Sequence, residues 1–369
     1  MGQLSYFVYA FIIYCFIARK QCNYRRIPLN NIVWILIITS CLHIISKIFI
    51  HNESIFNERQ RIIGFSTFLL FFIFWNKKIK EETIVRIMTI VGLSFFSIQI
   101  FQQLFPDSAM FGLYNENLME NTPDDIAEIR NGLYRFRIPG LFVVLFCMYY
   151  YWTELFKKTS VKNITLSFAF ICSMYLSLTR QIQFASLITL LLSFFIGNRN
   201  HNNKKIIFVL AVFLCFTIIN YYDVLFGELV EKTSEEANED NIRVFAFMFY
   251  WEKIIDNPIS FLFGNGYVND LSKWQEDLKL YTSDIGLVGE WYLYGVIWVI
   301  VYFVTLFILL KKYSECIPKY IKLFLIGTSI NSILVFPYRS PYEYFVWISV
   351  LYICSIHISD YQKKQLFIK

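Results

Sequence analysis

The chain has 369 residues, 56% of them hydrophobic and 20% aromatic, and its mean hydropathy of +0.47 excludes an ordinary soluble domain. The formal net charge of +6 sits mostly in short loops between apolar runs, which speaks against a nucleic-acid-binding surface. Four histidines and eight cysteines, without the His/Cys/Asp spacing of a metal site, give no ground for a metal or other cofactor. In chain order the apolar runs are Leu4 to Ala18, Ile32 to Ile50, Ile62 to Trp75, Thr83 to Phe105, Ile138 to Phe156 and Ile164 to Thr179. Gln181 to Gly197, Ile206 to Tyr222, Leu287 to Leu310, Ile321 to Phe336 and Tyr344 to Ile358 follow. The expectation is an all-α, polytopic membrane bundle of about eleven spans, several near the lower length limit. Residues 1–369 read as a single transmembrane domain without a separable soluble part. The first run is followed by basic residues and not by small ones, so it reads as a retained span and not as a cleaved signal.

Orientation follows from the short loops, because cytoplasmic ones hold an excess of Lys and Arg. Arg19 to Arg26, Lys77 to Lys80, Lys157 to Lys162, Arg199 to Lys205, Lys311 to Lys322 and the tail from Lys363 all fall on one side. The N-terminus is therefore expected outside and the C-terminus in the cytoplasm. The cysteines lie in apolar runs or inner loops, so no disulfide framework is expected.

Two outer segments remain, 106–137 and the large loop 223–286. Within the second, Ile242 to Asp256 can make about four helical turns, too few to cross a bilayer. Asn241 is a fitting N-cap, Pro258 lies near the stop, and Gly264 with Gly266 permits a tight turn that exposes backbone amides. The expected element is a helix in the membrane interface presenting Arg243 and free amides to an anionic group.

The outer arginines carry the chemical interest, since a guanidinium is always charged and forks onto phosphate oxygens. Arg180, in SLTRQIQFAS, reads equally as a snorkelling residue in a tight hairpin or as a ligand-facing one. Arg135 and Arg137 are interfacial anchors or ligands with equal weight, and Arg243 seats its helix on lipid phosphates or faces a substrate. Arg339 reads as a loop residue.

The succession RFRIPG, SLTRQIQFASLITLL, NIRVFAFMFYWEKIIDNPISFLFGNGY and SDIGLVGEWYLYGVIWV resembles the O-antigen ligase and polymerase superfamily over about two thirds of the chain. That resemblance implies a GT-C-like, metal-independent glycosyltransferase of the bacterial cytoplasmic membrane. Its substrate would be an oligosaccharide on undecaprenyl diphosphate, its acceptor a hydroxyl outside the membrane. By position, Arg137 with Gly140, Arg180 and Arg243 match the motifs whose arginines hold the lipid diphosphate. Cations fixed where water is scarce stabilise the charge of the leaving group.

Ligases of this superfamily place a histidine just before the last conserved span, where this chain has Ser283 and Asp284. The departure favours a repeat-unit polymerase making O-antigen, capsule or a related polysaccharide. A base, if one is needed, would be Asp284 or else Glu290, each at the outer end of a span; Asp284 also suits the start of that helix and Glu290 an ion pair with an outer arginine. Membrane lipid, a chain-length regulator and a flippase are the partners this reading implies, with no nucleic acid. The alternatives are a ligase of the same fold and a flippase or transporter of lipid-linked sugars, for which charges should line several spans.

Overall fold

The computed structural model describes residues 12–17, 27–51, 64–105, 128–130, 133–135, 140–196, 242–266, 280–332 and 341–368. These are almost entirely helical. The elements are α1 (Asn30–His51), α2 (Leu70–Lys77, after a 3-10 turn Ser66–Leu69), α3 (Glu81–Leu104), α4 (Leu141–Lys157), α5 (Val161–Leu176) and α6 (Arg180–Leu192). They continue with α7 (Ile242–Ile255), α8 (Pro258–Phe263), a 3-10 turn Thr282–Ile285, α9 (Gly286–Phe307, ending in a wide turn Ile308–Lys312), α10 (Lys319–Asn331) and α11 (Pro341–Ile368). The exception to the all-α expectation is a short antiparallel hairpin, β1 (Glu128–Arg130) and β2 (Leu133–Arg135), with Glu128 opposite Arg135 and Ile129 opposite Tyr134.

Most described apolar runs became helices with ends shifted by a few residues. The run from Ile62 to Trp75 did not become one helix, since a 3-10 turn precedes the eight residues of α2. The run from Tyr344 to Ile358 lies inside a helix that continues to Ile368. The run from Ile206 to Tyr222 and most of the first lie outside the described residues. Three described helices, Glu81–Leu104, Gly286–Lys312 and Glu343–Leu366, are long and apolar enough to cross a membrane. The 16 residues of α5 make only about 24 Å of helix, short of a hydrocarbon core of about 30 Å.

The chain divides into two compact units interleaved in sequence. One comprises Met1–Ile84, Asp240–Pro318 and Thr328–Lys369; the other comprises Val85–Glu239 and Lys319–Gly327. In the second unit α4 packs along α5, and Phe146 and Tyr150 meet Tyr320 edge-on at 5.6 and 5.0 Å. Polar side chains tie its helices together. Gln99 Nε2 donates to the Ser173 carbonyl at 3.1 Å, the Ser173 hydroxyl donates back to Gln99 Oε1, and Trp152 Nε1 donates to Ser193 Oγ at 2.8 Å. Between apolar helices such bonds fix register, because dispersion alone does not select one. Ser160 starts α5 by accepting the Asn163 amide.

In the first unit α1, α7, α8 and the 3-10 turn Thr282–Ile285 all pack on α9, and α11 packs on α2. Its centre is aromatic: Phe65, Phe68, Trp298, Tyr294 and Tyr344 meet ring to ring at centroid distances of 5.2 to 6.4 Å. Lys78 takes a left-handed conformation (φ 51°) to close α2, and the buried Tyr352 hydroxyl holds that turn through the Ile79 carbonyl at 2.7 Å.

Candidate functional site

The helix expected from Ile242 runs to Ile255, and three faces can be read off its periodicity. Arg243, Ala246, Tyr250 and Ile254 fall within an arc of about 80°. Ala246, Tyr250 and Ile254 on this arc are buried, and Arg243 is half-buried. Val244, Met248, Trp251 and Ile255 lie in an adjoining arc of about 60° and are exposed, Met248 to 65%. Glu252, Lys253 and Asp256 share the third face with the exposed Phe245 and the half-buried Phe249. Arg243 thus shares the stripe by which α7 meets the protein, and the uncovered apolar stripe beside it suits acyl chains. The Asn241 cap lies outside the described residues.

Tyr250 anchors this stripe. Its hydroxyl donates to the Leu280 carbonyl at 2.6 Å, its ring meets Tyr292 at 4.8 Å, and burial pushes the phenol up to about 12. Tyr250→Phe would leave a buried carbonyl without this donor. The expected loss is about 1–3 kcal/mol of stability. An unchanged thermal unfolding midpoint of the solubilised variant would refute this role.

Asp-Asn-Pro is a junction between helices. The first helix ends at Ile255, and the Asn257 side chain then accepts the Ile259 amide at 2.9 Å, capping α8 with Pro258 at its first position. After α8 the chain turns through Gly264 (φ 80°) and Gly266 (φ 65°). The tight turn is present, but the expectation of free amides is corrected. Gly264 N–H donates to the Ser260 carbonyl (2.8 Å), Asn265 N–H to Tyr292 (2.7 Å) and Gly266 N–H to Leu293 (3.0 Å).

Those carbonyls are available because α9 is broken at Gly295 (φ 83°, ψ 166°). In an unbroken helix Tyr292 and Leu293 would accept from Val296 and Ile297. Gly264 and Gly295 hold nearly the same backbone angles and face each other's chains. A Cβ on Gly264 would come 2.5 Å from the Leu293 carbonyl oxygen, and one on Gly295 would be driven into the Leu262 carbonyl. A Cβ on Gly289 would strike the Thr282 carbonyl, so that glycine lets the 3-10 turn lie on the helix.

Around this crossing the first unit buries several polar side chains. His43 on α1 donates from Nδ1 to the Phe263 carbonyl at 2.8 Å and packs on Tyr294 at 5.0 Å. Lys47, one turn further along α1, is 1% exposed, as is Glu290 on α9. The Tyr344 hydroxyl bonds Tyr294 and lies within electrostatic reach of Glu290 and Glu343. On the exposed side Trp251 meets Trp291 edge-on at 5.3 Å, and Trp291 meets Phe261 at 5.0 Å.

The structure therefore brings Arg243, Gly264, Gly266 and Glu290 into one unit with the turn that carries Asp284, whose side chain lies outside the described residues. Arg180, the first residue of α6, and Arg135, the last of β2, belong to the second unit, and the side chains of both likewise lie outside the described residues. Arg137 and Arg339 lie outside them entirely. The His43 and Lys47 pair, four apart on α1, is the sequence signal for the buried polar groups at this crossing.

No family model, curated protein or solved structure matches this chain.

Proposed function

We propose that the chain is an integral membrane glycosyltransferase that joins undecaprenyl diphosphate-linked oligosaccharide repeat units into a surface polysaccharide. It would cross the bacterial cytoplasmic membrane about eleven times, with its site at the outer face and its C-terminus in the cytoplasm. One observation carries this reading: Arg243 sits on the protein-facing stripe of a short helix whose neighbouring stripe is apolar and exposed. A cation so placed is held at the depth of lipid phosphates yet turned toward the protein, as recognition of one lipid-linked diphosphate requires. Arg137, Arg180 and Arg135 are the further diphosphate ligands in this proposal.

The glycosidic carbon passes from the diphosphate to the acceptor hydroxyl, and the leaving diphosphate takes the negative charge. A carboxylate near the acceptor removes its proton. Asp284 is the proposed base, in the turn at the start of α9, whereas Glu290 is 1% exposed and suits a positioning role.

Purified protein given lipid-linked repeat units should produce a ladder of lengthening glycans in the presence of a chelator and without nucleotide. Transfer of single finished chains to a lipid acceptor would show a ligase. Movement of the donor across vesicles without any new glycosidic bond would show a transporter. Either result overturns the polymerase reading.

A further inference from the structure

About 20 Å along α11 from Tyr344, the first unit carries a concavity of about 960 Å³, where α2 ends and α3 begins. Its volume is at the upper end of small-molecule sites, about 300–1,000 Å³. The floor is aromatic, with Trp75 set edge-on to Tyr352 at 6.3 Å. Two polar contacts at its edge are closed: the hydrogen bond of His357 with Glu81 at 2.7 Å and the ion pair of Lys363 with Asp360 at 3.3 Å. Lys78, Lys80 and Glu82 also line it, are solvent-exposed, and hold no ion pair among the described residues. Open charges of both signs thus stand beside an aromatic floor.

A purely anionic ligand would meet Glu82 unfavourably, and a purely cationic one would meet two ammonium groups. A ligand bearing a phosphate and a primary amine a few bonds apart satisfies both. The aromatic floor suits a glycerol and upper acyl segment, and the Lys-rich loops place this rim at a membrane surface. We infer that this groove binds the headgroup of an aminophospholipid from the adjoining leaflet, phosphate toward Lys78 and Lys80 and amine toward Glu82. The inference stands apart from the polymerase reading, which concerns other residues.

The test uses the full-length, delipidated protein in detergent, titrated with phosphatidylethanolamine, phosphatidylglycerol or phosphatidylcholine while thermal unfolding is followed. Phosphatidylethanolamine is expected to raise the midpoint most. The K78A/K80A variant should keep its midpoint in phosphatidylcholine and need roughly tenfold more phosphatidylethanolamine for the same shift. E82Q should exchange the preference toward phosphatidylglycerol, a readout that a merely weakened fold would not give. Equal shifts from all three lipids, or an undiminished preference in K78A/K80A, would overturn the inference. A full shift from soluble phosphoethanolamine alone would overturn the assignment to a lipid.

Discussion

Gly295→Ala should rank among the most destabilising single methyl additions in the first unit. At φ 83° and ψ 166° the backbone is in a region that is essentially glycine's own, and a side chain there costs about 1–3 kcal/mol before any contact is counted. The added carbon is also driven into the Leu262 carbonyl and comes 2.5 Å from the Phe263 carbonyl carbon. Both are backbone atoms and cannot rotate away. Relief requires α8 to move off α9, which breaks the bonds from Asn265 and Gly266 to the Tyr292 and Leu293 carbonyls. Each carbonyl left without a partner adds about 1–3 kcal/mol, so a total near 5 kcal/mol or more is expected. Gly264→Ala should behave alike, and the double variant should lose far less than the sum, since either change opens the same crossing. Gly92→Ala is the contrast. Its Cβ would meet the edge of the Phe170 ring at 2.8 Å, a side chain that can shift. Thermal unfolding of the solubilised proteins measures all four. A Gly295→Ala midpoint close to wild type would show that the interlock contributes little.

Arg243→Ala is expected to lower polymer formation by about 10²–10³-fold while the protein remains inserted at normal abundance, the range seen when one donor to a developing negative charge is removed. Arg243→Lys should recover only part, because an ammonium keeps the charge but loses the two-pronged match to phosphate oxygens. Val244→Ala, one residue away on the exposed apolar stripe, should leave polymer nearly unchanged. That contrast separates a ligand role from a general need for α7 at the interface. Polymer of normal length and amount from the Arg243→Ala strain would end the assignment of this arginine.

How much was legible in the sequence differs between the two scales. Helices such as α3 and α4 announce themselves through long apolar runs, because the backbone must satisfy its own hydrogen bonds in lipid. The short helix α7 was legible too, since a nearby Pro bounds it. The break at Gly295 was not, because a glycine inside an apolar run looks the same whether the helix continues or stops. Only the approach of Leu262 and Phe263, some thirty residues earlier, decides it. The inward stripe of Arg243 was half legible: the period puts it with Ala246 and Tyr250, but which arc is covered depends on α9. The bond made by His43 was not legible, because the carbonyl that α8 brings to it lies 220 residues away in the chain.

The interrupted α9 also changes how its membrane crossing should be measured. By length Gly286–Lys312 is a generous 27-residue span, yet the uninterrupted part after Gly295 is only 17 residues, about 26 Å. The anchor proper is thus shorter than a typical hydrocarbon core, and the nine residues before the break form a separate arm whose aim is set by the Gly264–Gly266 loop. A bilayer meeting so short an anchor thins locally, which draws the headgroup layer down toward that arm.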